Sequence, residues 1–212
     1  MNYTKTIREY CNQNKGKMFD VSYEMKHHFE MVPYRTLCKI LSRLEAEGLL
    51  SLYSKGLYYI NTDKDDADPI IAFYASDYTG LVVGGAMYKK YGIIKEYHGP
   101  ITIYTNAMET TTKNLGDRYT LIKYPVSIFD TAAKRLIEAL EIIDDRLRFE
   151  GFDQVVAARV IIECLQYYSD MVFRDIIEAH QYQYSTICTL SEMLNNLSIQ
   201  NRVMDIVKEV YK

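Results

Sequence analysis

The segment PYRTLCKILSRLEAEG, residues 33–48, constrains the fold most strongly, because its basic and apolar residues separate onto two faces of one helix. At roughly 100° per residue, Lys39 and Arg43 lie about 40° and 80° from Arg35 around the helix axis. The apolar side chains fall between about 140° and 240° on the same wheel, namely Leu37, Ile40, Leu41 and Leu44. The apolar face therefore predicts docking onto neighbouring helices, and it leaves the basic face open.

Two helices are predicted ahead of this segment. Thr4 is a predicted N-cap of a short helix that ends near Tyr10, and a brief strand follows at residues 17–19. Asp20 is the predicted N-cap of a second helix that runs to about Phe29, because a short acidic side chain accepts hydrogen bonds from the first backbone N–H groups.

A β-hairpin is predicted directly after the basic helix. Pro33 opens that helix and Gly48 ends it, because proline suits the first helical position and glycine the C-terminal stop. The run LLSLYSKGLYYI holds two β-prone segments around Ser54-Lys55-Gly56, which is typical of a hairpin. The order helix, strand, helix, helix, hairpin predicts a winged helix-turn-helix over residues 1–62.

The open face of the basic helix is the predicted DNA-binding surface. The N-terminal side chains of a recognition helix lie closest to base edges, and the hairpin tip can reach phosphate or the minor groove beside it. A charged face on a lone helix is more often solvated surface, and the surrounding order of elements favours double-stranded DNA. The predicted DNA contacts are Lys17, Tyr34, Arg35, Thr36, Lys39, Ser42, Arg43 and Lys55.

The charge distribution agrees with nucleic-acid contact through one end of the chain. Residues 1–61 carry nine Lys or Arg against six Asp or Glu, a net charge of +3, whereas the whole chain carries −3. The remainder therefore carries −6, from 16 basic and 22 acidic residues. A basic module on an acidic body fits a partner of negative charge.

The clearest predicted linker is NTDKDDAD at residues 61–68, which precedes Pro69. Beyond it we predict a mixed α/β domain at 63–126 and a helical C-terminal region at 127–212. The helical region is either separate or one domain together with 63–126. The predicted fold class is α+β.

Strands are predicted in the middle domain at residues 81–83, 101–105 and 119–124. Gly84-Gly85 lies between a strand and a helix but lacks the G-x-G-x-x-G and P-loop patterns. The glycine pair therefore indicates close backbone packing rather than phosphate binding.

Two helices of the C-terminal region differ in their patterns. A helix at 131–149 has one apolar stripe, built from Leu136, Leu140, Ile143 and Leu147. The stretch 155–168 is apolar on nearly every face, which predicts a central buried helix or one that meets a partner.

No catalytic residue, metal site or cofactor is predicted, and we expect that the protein is not an enzyme. The four cysteines are too widely separated for a zinc site or a redox pair, and reduced, buried thiols are expected. No nucleophile motif is present. No apolar stretch approaches the roughly 20 residues of a membrane span, and the N-terminus lacks a signal-peptide core. We therefore expect a cytoplasmic protein without a membrane partner.

Three segments resemble the N-terminal winged helix of the AbiEi-type antitoxins of type IV toxin-antitoxin systems. They are GKMFDVSYEM, MVPYRTLCKILSRLEAEGLL and SKGLYYI, and family members share a Lys-Gly plus aromatic start, a "LsRLeaeGll" helix end and a "rGlYyi" wing end. A looser likeness covers residues 83–86, 91–93 and 99–106. The resemblance extends over roughly residues 1–125, whereas the helical tail matches no segment of the family.

The resemblance implies a transcriptional repressor that binds repeats in its own promoter. It also implies that the protein counteracts a cognate nucleotidyltransferase-like toxin without a stable complex. By position, the implied DNA contacts are Arg35, Thr36, Lys39 and Arg43 on the helix and Lys55 on the wing.

Two other functions fit the same sequence. The winged helix could serve as a protein-interaction module without DNA, or the protein could be a generic regulator whose middle domain senses a small effector. The sequence sets neither the oligomeric state nor the operator.

Overall fold

The computed structural model describes residues 2–62, 68–145, 149 and 151–211. The chain is of the α+β class, as predicted. It divides into two units: Met1–Phe73 with Ala107–Thr110, and Tyr74–Asn106 with Thr111–Lys212. Most of the predicted linker, residues 63–67, lies outside the described residues.

The first unit contains three helices and one three-stranded antiparallel sheet. The sheet has the order β1-β3-β2, so the last strand lies between the other two. The elements are α1 (Tyr3–Gln13), β1 (Met18–Asp20), α2 (Val21–His27), α3 (Tyr34–Ala46), β2 (Leu50–Ser54) and β3 (Leu57–Ile60).

The predicted N-cap of α2 is confirmed, whereas the predicted N-cap of α1 is wrong. Asp20 Oδ1 accepts hydrogen bonds from the backbone N–H groups of Ser22 at 3.0 Å and Tyr23 at 3.2 Å. The prediction that Thr4 caps α1 is wrong, because Asn2 is the N-cap. The helix also runs past Tyr10, since Cys11 packs into the core with no exposed surface.

Removing the cap of α2 should destabilise the first unit measurably. We expect Asp20→Ala to lower the free energy of unfolding by about 1 kcal/mol relative to Asp20→Asn, because asparagine keeps the acceptor and alanine does not. Urea unfolding of the two variants, followed by circular dichroism, measures the difference. Equal stabilities would show that the two hydrogen bonds contribute nothing net.

Helix α3 docks on the first unit through its apolar face. Leu37, Leu41 and Leu44 have no exposed surface. They share one core with buried residues from the other elements, including Ile7, Cys11, Phe19, Phe29, Leu50 and Ile60. The hairpin turns where predicted, and Gly56 adopts a φ of +76°, which favours glycine.

The second unit combines a sheet with a helical bundle. The sheet order is β4-β5-β7-β6, in which β5 and β7 are parallel and the other pairs antiparallel. The preceding helix α4 (Pro69–Tyr74) spans the division between units. The elements are β4 (Gly80–Val83), α5 (Gly85–Lys90), β5 (Ile101–Thr105), β6 (Thr112–Leu115), β7 (Tyr119–Lys123), α6 (Thr131–Asp145), α7 (Gln154–Leu165), α8 (Asp170–Ala179), α9 (Tyr184–Asn196) and α10 (Val203–Val210).

One hydrophobic core runs through the second unit, from Val83 to Val207, and crosses the position near 127 at which the sequence suggested a division. Gly85 confirms the close packing predicted for the glycine pair, whereas a Cβ at Gly84 would meet nothing within 4 Å. A Cβ added to Gly85 would lie 2.1 Å from Tyr97 Cε2. Any larger residue there would displace the tyrosine ring.

The central helix of this core is α6, although the sequence predicted one apolar stripe for α6 and a central, buried position for α7. Leu136, Leu140 and Ile143 of the predicted stripe are buried, and Leu147 lies outside the described residues. Residues 136–143 of α6 are all buried, including Glu138 and Glu141. The Tyr91 hydroxyl donates to Glu138 at 2.8 Å, and the Tyr182 hydroxyl donates to Glu141 at 3.0 Å. Hydrogen bonds of this kind let a carboxyl group enter a core. Glutamates that a sequence pattern assigns to the surface are therefore inside.

Helix α7, in contrast, buries only one face. Ala157, Val160, Ile161, Cys164 and Leu165 pack into the core. Its opposite side is open, and Val155 is 72% exposed. The prediction of a helix buried on nearly every face is wrong for α7, and the alternative, a helix that meets a partner, stays a prediction.

Candidate nucleic-acid interface

The basic face of α3 is exposed because the apolar face of the same helix is anchored. Arg35, Lys39, Ser42 and Arg43 are all exposed, as the helical wheel predicts. Within the part of the chain that the structure describes, the three cations form no ion pair. Their charge is therefore free to meet an external anion.

One flank of α3 borders the beginning of α1. An open groove of about 600 Å³ lies there. Thr36, Lys39 and Arg43 form its α3 side together with Ile40. Its other side is formed by Asn2, Tyr3 and Thr4, none of which the sequence predicted as a DNA contact. The groove thus combines the positive end of a helix with two cationic side chains, which suits an anion.

An ion pair fixes α1 beside α3. Arg8 Nη1 lies 2.5 Å from Glu47 Oε2 at the C-terminal end of α3. The Arg8 guanidinium lowers the pKa of the Glu47 carboxyl by this hydrogen bond. The pair links the C-terminal end of α3 to the first helix, and because both side chains are partly exposed it adds little to stability.

The opposite flank of α3 faces the sheet. Tyr34 is 60% exposed at the N-terminal end of α3, and Cys38 one turn later raises the pKa of its hydroxyl. Burial raises the pKa of Tyr58 of β3, and the Glu45 carboxylate adds to this effect. Tyr34 is an exposed side chain at the N-terminal end of α3, next to Arg35 in the chain.

The hairpin presents a cation and two exposed apolar side chains. Lys55 is exposed at the turn between β2 and β3. Leu52 and Tyr53 of β2 are also exposed, and the register shifts between Leu52 and Ser54. The turn reaches the start of α2, since the Val21 N–H donates to the Gly56 carbonyl at 2.9 Å. The hairpin is short, with strands of five and four residues and Lys55 at its tip.

Lys17 lies at the turn after α1, apart from the α3 contacts described above. Its Nζ donates to Asn14 Oδ1 at 3.0 Å. Lys17 is thus held at the C-terminal end of α1, whereas Thr36, Lys39 and Arg43 meet in one groove.

The described residues offer few groups for other chemistry. No cluster of three or more His, Cys, Asp or Glu residues able to hold a metal ion occurs among them. The four cysteines are free thiols, with Cys11 and Cys164 buried and the other two half-buried. No helix within these residues is long and apolar enough to cross a membrane.

Comparison with protein-family models finds no match for this chain. Comparison with curated proteins finds none either. The likeness to AbiEi-type antitoxins therefore depends on the sequence segments quoted above.

Proposed function

We propose that the first unit is a winged helix-turn-helix that binds double-stranded DNA through α3. The observation that carries the proposal is the face of Arg35, Lys39 and Arg43, which is exposed and unpaired among the described residues while the opposite face is fully buried. A stripe of this kind on an anchored helix is what insertion into a major groove needs.

Each part of the surface has a distinct role in this proposal. Arg35, Thr36 and Lys39 near the start of α3 lie where side chains reach base edges. Arg43 and the groove at the start of α1 receive a backbone phosphate, because helix N–H groups and cations both favour that anion. Lys55 at the short wing contacts a phosphate or the adjacent minor groove.

The biological role that we propose is that of an antitoxin-like repressor. Such a protein binds repeats in its own promoter and counteracts a nucleotidyltransferase-like toxin without a stable complex. The support is the resemblance of residues 1–125 to the antitoxin family. Coexpression with a nucleotidyltransferase from the same operon tests the proposal. Cells that express the toxin should stop growing, and cells that also express this chain should grow. Unrelieved toxicity would leave a generic winged-helix regulator.

DNA binding by the full chain should depend steeply on salt. Each phosphate neutralised adds about −0.9 to the slope of log K against log salt concentration, and the two cations that we place at phosphates are Arg43 and Lys55. We therefore expect a slope of about −2. Fluorescence anisotropy with labelled promoter DNA measures it over a salt series.

The hairpin variant Lys55→Ala provides an internal check on this slope. Losing one phosphate contact should reduce its magnitude by about 0.9 and weaken binding to all DNA sequences alike. A slope near zero for the unaltered protein would contradict DNA binding, and it would favour a module that binds proteins. An unchanged slope in the variant would show that Lys55 makes no phosphate contact.

A further inference from the structure

Helix α7 of the second unit carries an apolar ridge on its open side. Val155 and Ile162 are 72% and 41% exposed, and Ala158 between them is exposed as well. At roughly 100° per residue, Ala158 and Ile162 lie about 60° and 20° to one side of Val155. The three side chains therefore form one narrow row along the helix, which we call the α7 ridge.

The α7 ridge does not help to hold the described fold together. The opposite face of α7 supplies the packing, with residues 157, 160, 161, 164 and 165 in the core. Isolated exposed apolar side chains are ordinary on a protein surface, whereas aligned ones mark an interaction site. Because the ridge follows the helix, its natural partner is another helix.

One flank of the ridge carries two charges of opposite sign. Arg159 and Glu163 are exposed, about 40° and 80° from Val155 on the side away from Ala158. Neither forms an ion pair with any residue that the structure describes. A surface with one cation and one anion on the same flank is complementary to itself.

We infer that the α7 ridge binds the same ridge of a second copy of this chain, with the two helices antiparallel. A twofold axis perpendicular to both helices brings the same flank of each copy to the same side of the contact. Arg159 of each copy then faces Glu163 of the other, so the ion pair forms twice. The small Ala158 lies opposite the larger Ile162, which lets the helices approach closely.

The charges favour a second copy over other occupants. A membrane surface would call for several cations beside the apolar row, and this flank has one cation balanced by one anion. A nucleic acid would be repelled by Glu163 and gains nothing from the row. The inference is independent of DNA binding, although a twofold dimer would supply two recognition helices for a repeated operator.

Charge exchange tests the contact and its geometry together. Analytical ultracentrifugation of the full chain over a concentration series should show a monomer–dimer equilibrium. Arg159→Glu and Glu163→Arg should each weaken dimerisation by at least about tenfold, because each places like charges together twice. The double variant should return to within about threefold of the unaltered protein, since the pair is restored with reversed polarity.

An apolar variant and a matched control complete the experiment. Ile162→Asp should weaken the dimer by at least about tenfold, whereas Met171→Asp, 78% exposed on α8, should not change it. Circular dichroism checks that each variant is folded. A monomer at every concentration overturns the inference, as does a dimer insensitive to the α7 variants. If both single charge variants weaken the dimer and the double variant does not regain its stability, the antiparallel pairing is overturned.

Discussion

Reversing two charges on α3 should abolish specific DNA binding. In the double variant Arg35→Glu with Lys39→Glu, two exposed cations become anions on the face that we propose enters the major groove of DNA, so attraction is replaced by repulsion. At moderate salt, about 150 mM, we expect binding at least about 100-fold weaker than that of the unaltered protein. A gel shift with the promoter fragment measures the loss.

A second double variant controls for net charge. Lys95→Glu with Lys208→Glu makes the same change of −4, but both residues are exposed in the second unit. Binding by this variant should stay within about threefold of the unaltered protein, because neither residue belongs to the proposed interface and exposed charges are screened at this salt concentration. Equal losses in the two double variants would mean that overall charge, and not the α3 face, governs binding.

Much of the first unit could be predicted from the sequence, because its signals are local. Asp20 caps a helix through its own side chain, and Gly56 supplies the positive φ of its turn. The separation of Arg35 from Leu41 on α3 follows from helical periodicity alone. Each of these features depends on residues within one turn or one hairpin.

Elements that depend on distant partners were not predictable in the same way. Strand β6 has the sequence TKNL, with no apolar alternation, and it is formed by antiparallel pairing with β7. Glu141 enters the core because Tyr182 donates to it from 41 residues away in sequence. Hydropathy patterns cannot anticipate such a partner. For this reason the sequence predicted that α7, rather than α6, is the central buried helix.

The candidate interface also has one part that depends on local sequence and one part that depends on tertiary packing. The basic face of α3 could be predicted, since a helical wheel suffices. The groove at Asn2 and Thr4 could not, because it is created by the docking of α1 against α3. Charge and periodicity therefore predict the exposed basic face of α3, and the tertiary packing adds the groove beside it that we propose as a phosphate site.

Packing also buries a carboxyl group that no sequence pattern marks, Glu24 of α2. Its side chain is 3% exposed and lies 3.8 Å from His28 Nε2. Among the described residues, its Oε2 accepts no hydrogen bond. Burial raises the pKa of Glu24 from 4.5 to about 7, and the negative charge of Asp20 adds to this effect, while Tyr10 and Lys17 oppose it.

The raised pKa makes the stability of the first unit depend on pH. Between pH 4.5 and about 7, the folded unit holds a proton on Glu24 that the unfolded chain has released. The contribution of this group is therefore full below the unfolded pKa and is lost as the pH rises through the folded pKa. A shift of this size corresponds to about 3 kcal/mol.

Replacing this carboxyl by its neutral amide should therefore stabilise the protein in alkaline solution. We expect Glu24→Gln to be about 3 kcal/mol more stable than the unaltered protein at about pH 8, and equal to it at about pH 4. Hydrogen exchange of the α3 amides, compared between proteins at the same pH, measures the difference. Glu30→Gln is the matched control, because it removes the same charge from an exposed position on the loop after α2, and it should not reproduce the gain in stability at about pH 8. If Glu24→Gln were indifferent to pH, Glu24 would be ionised in the folded protein throughout this range.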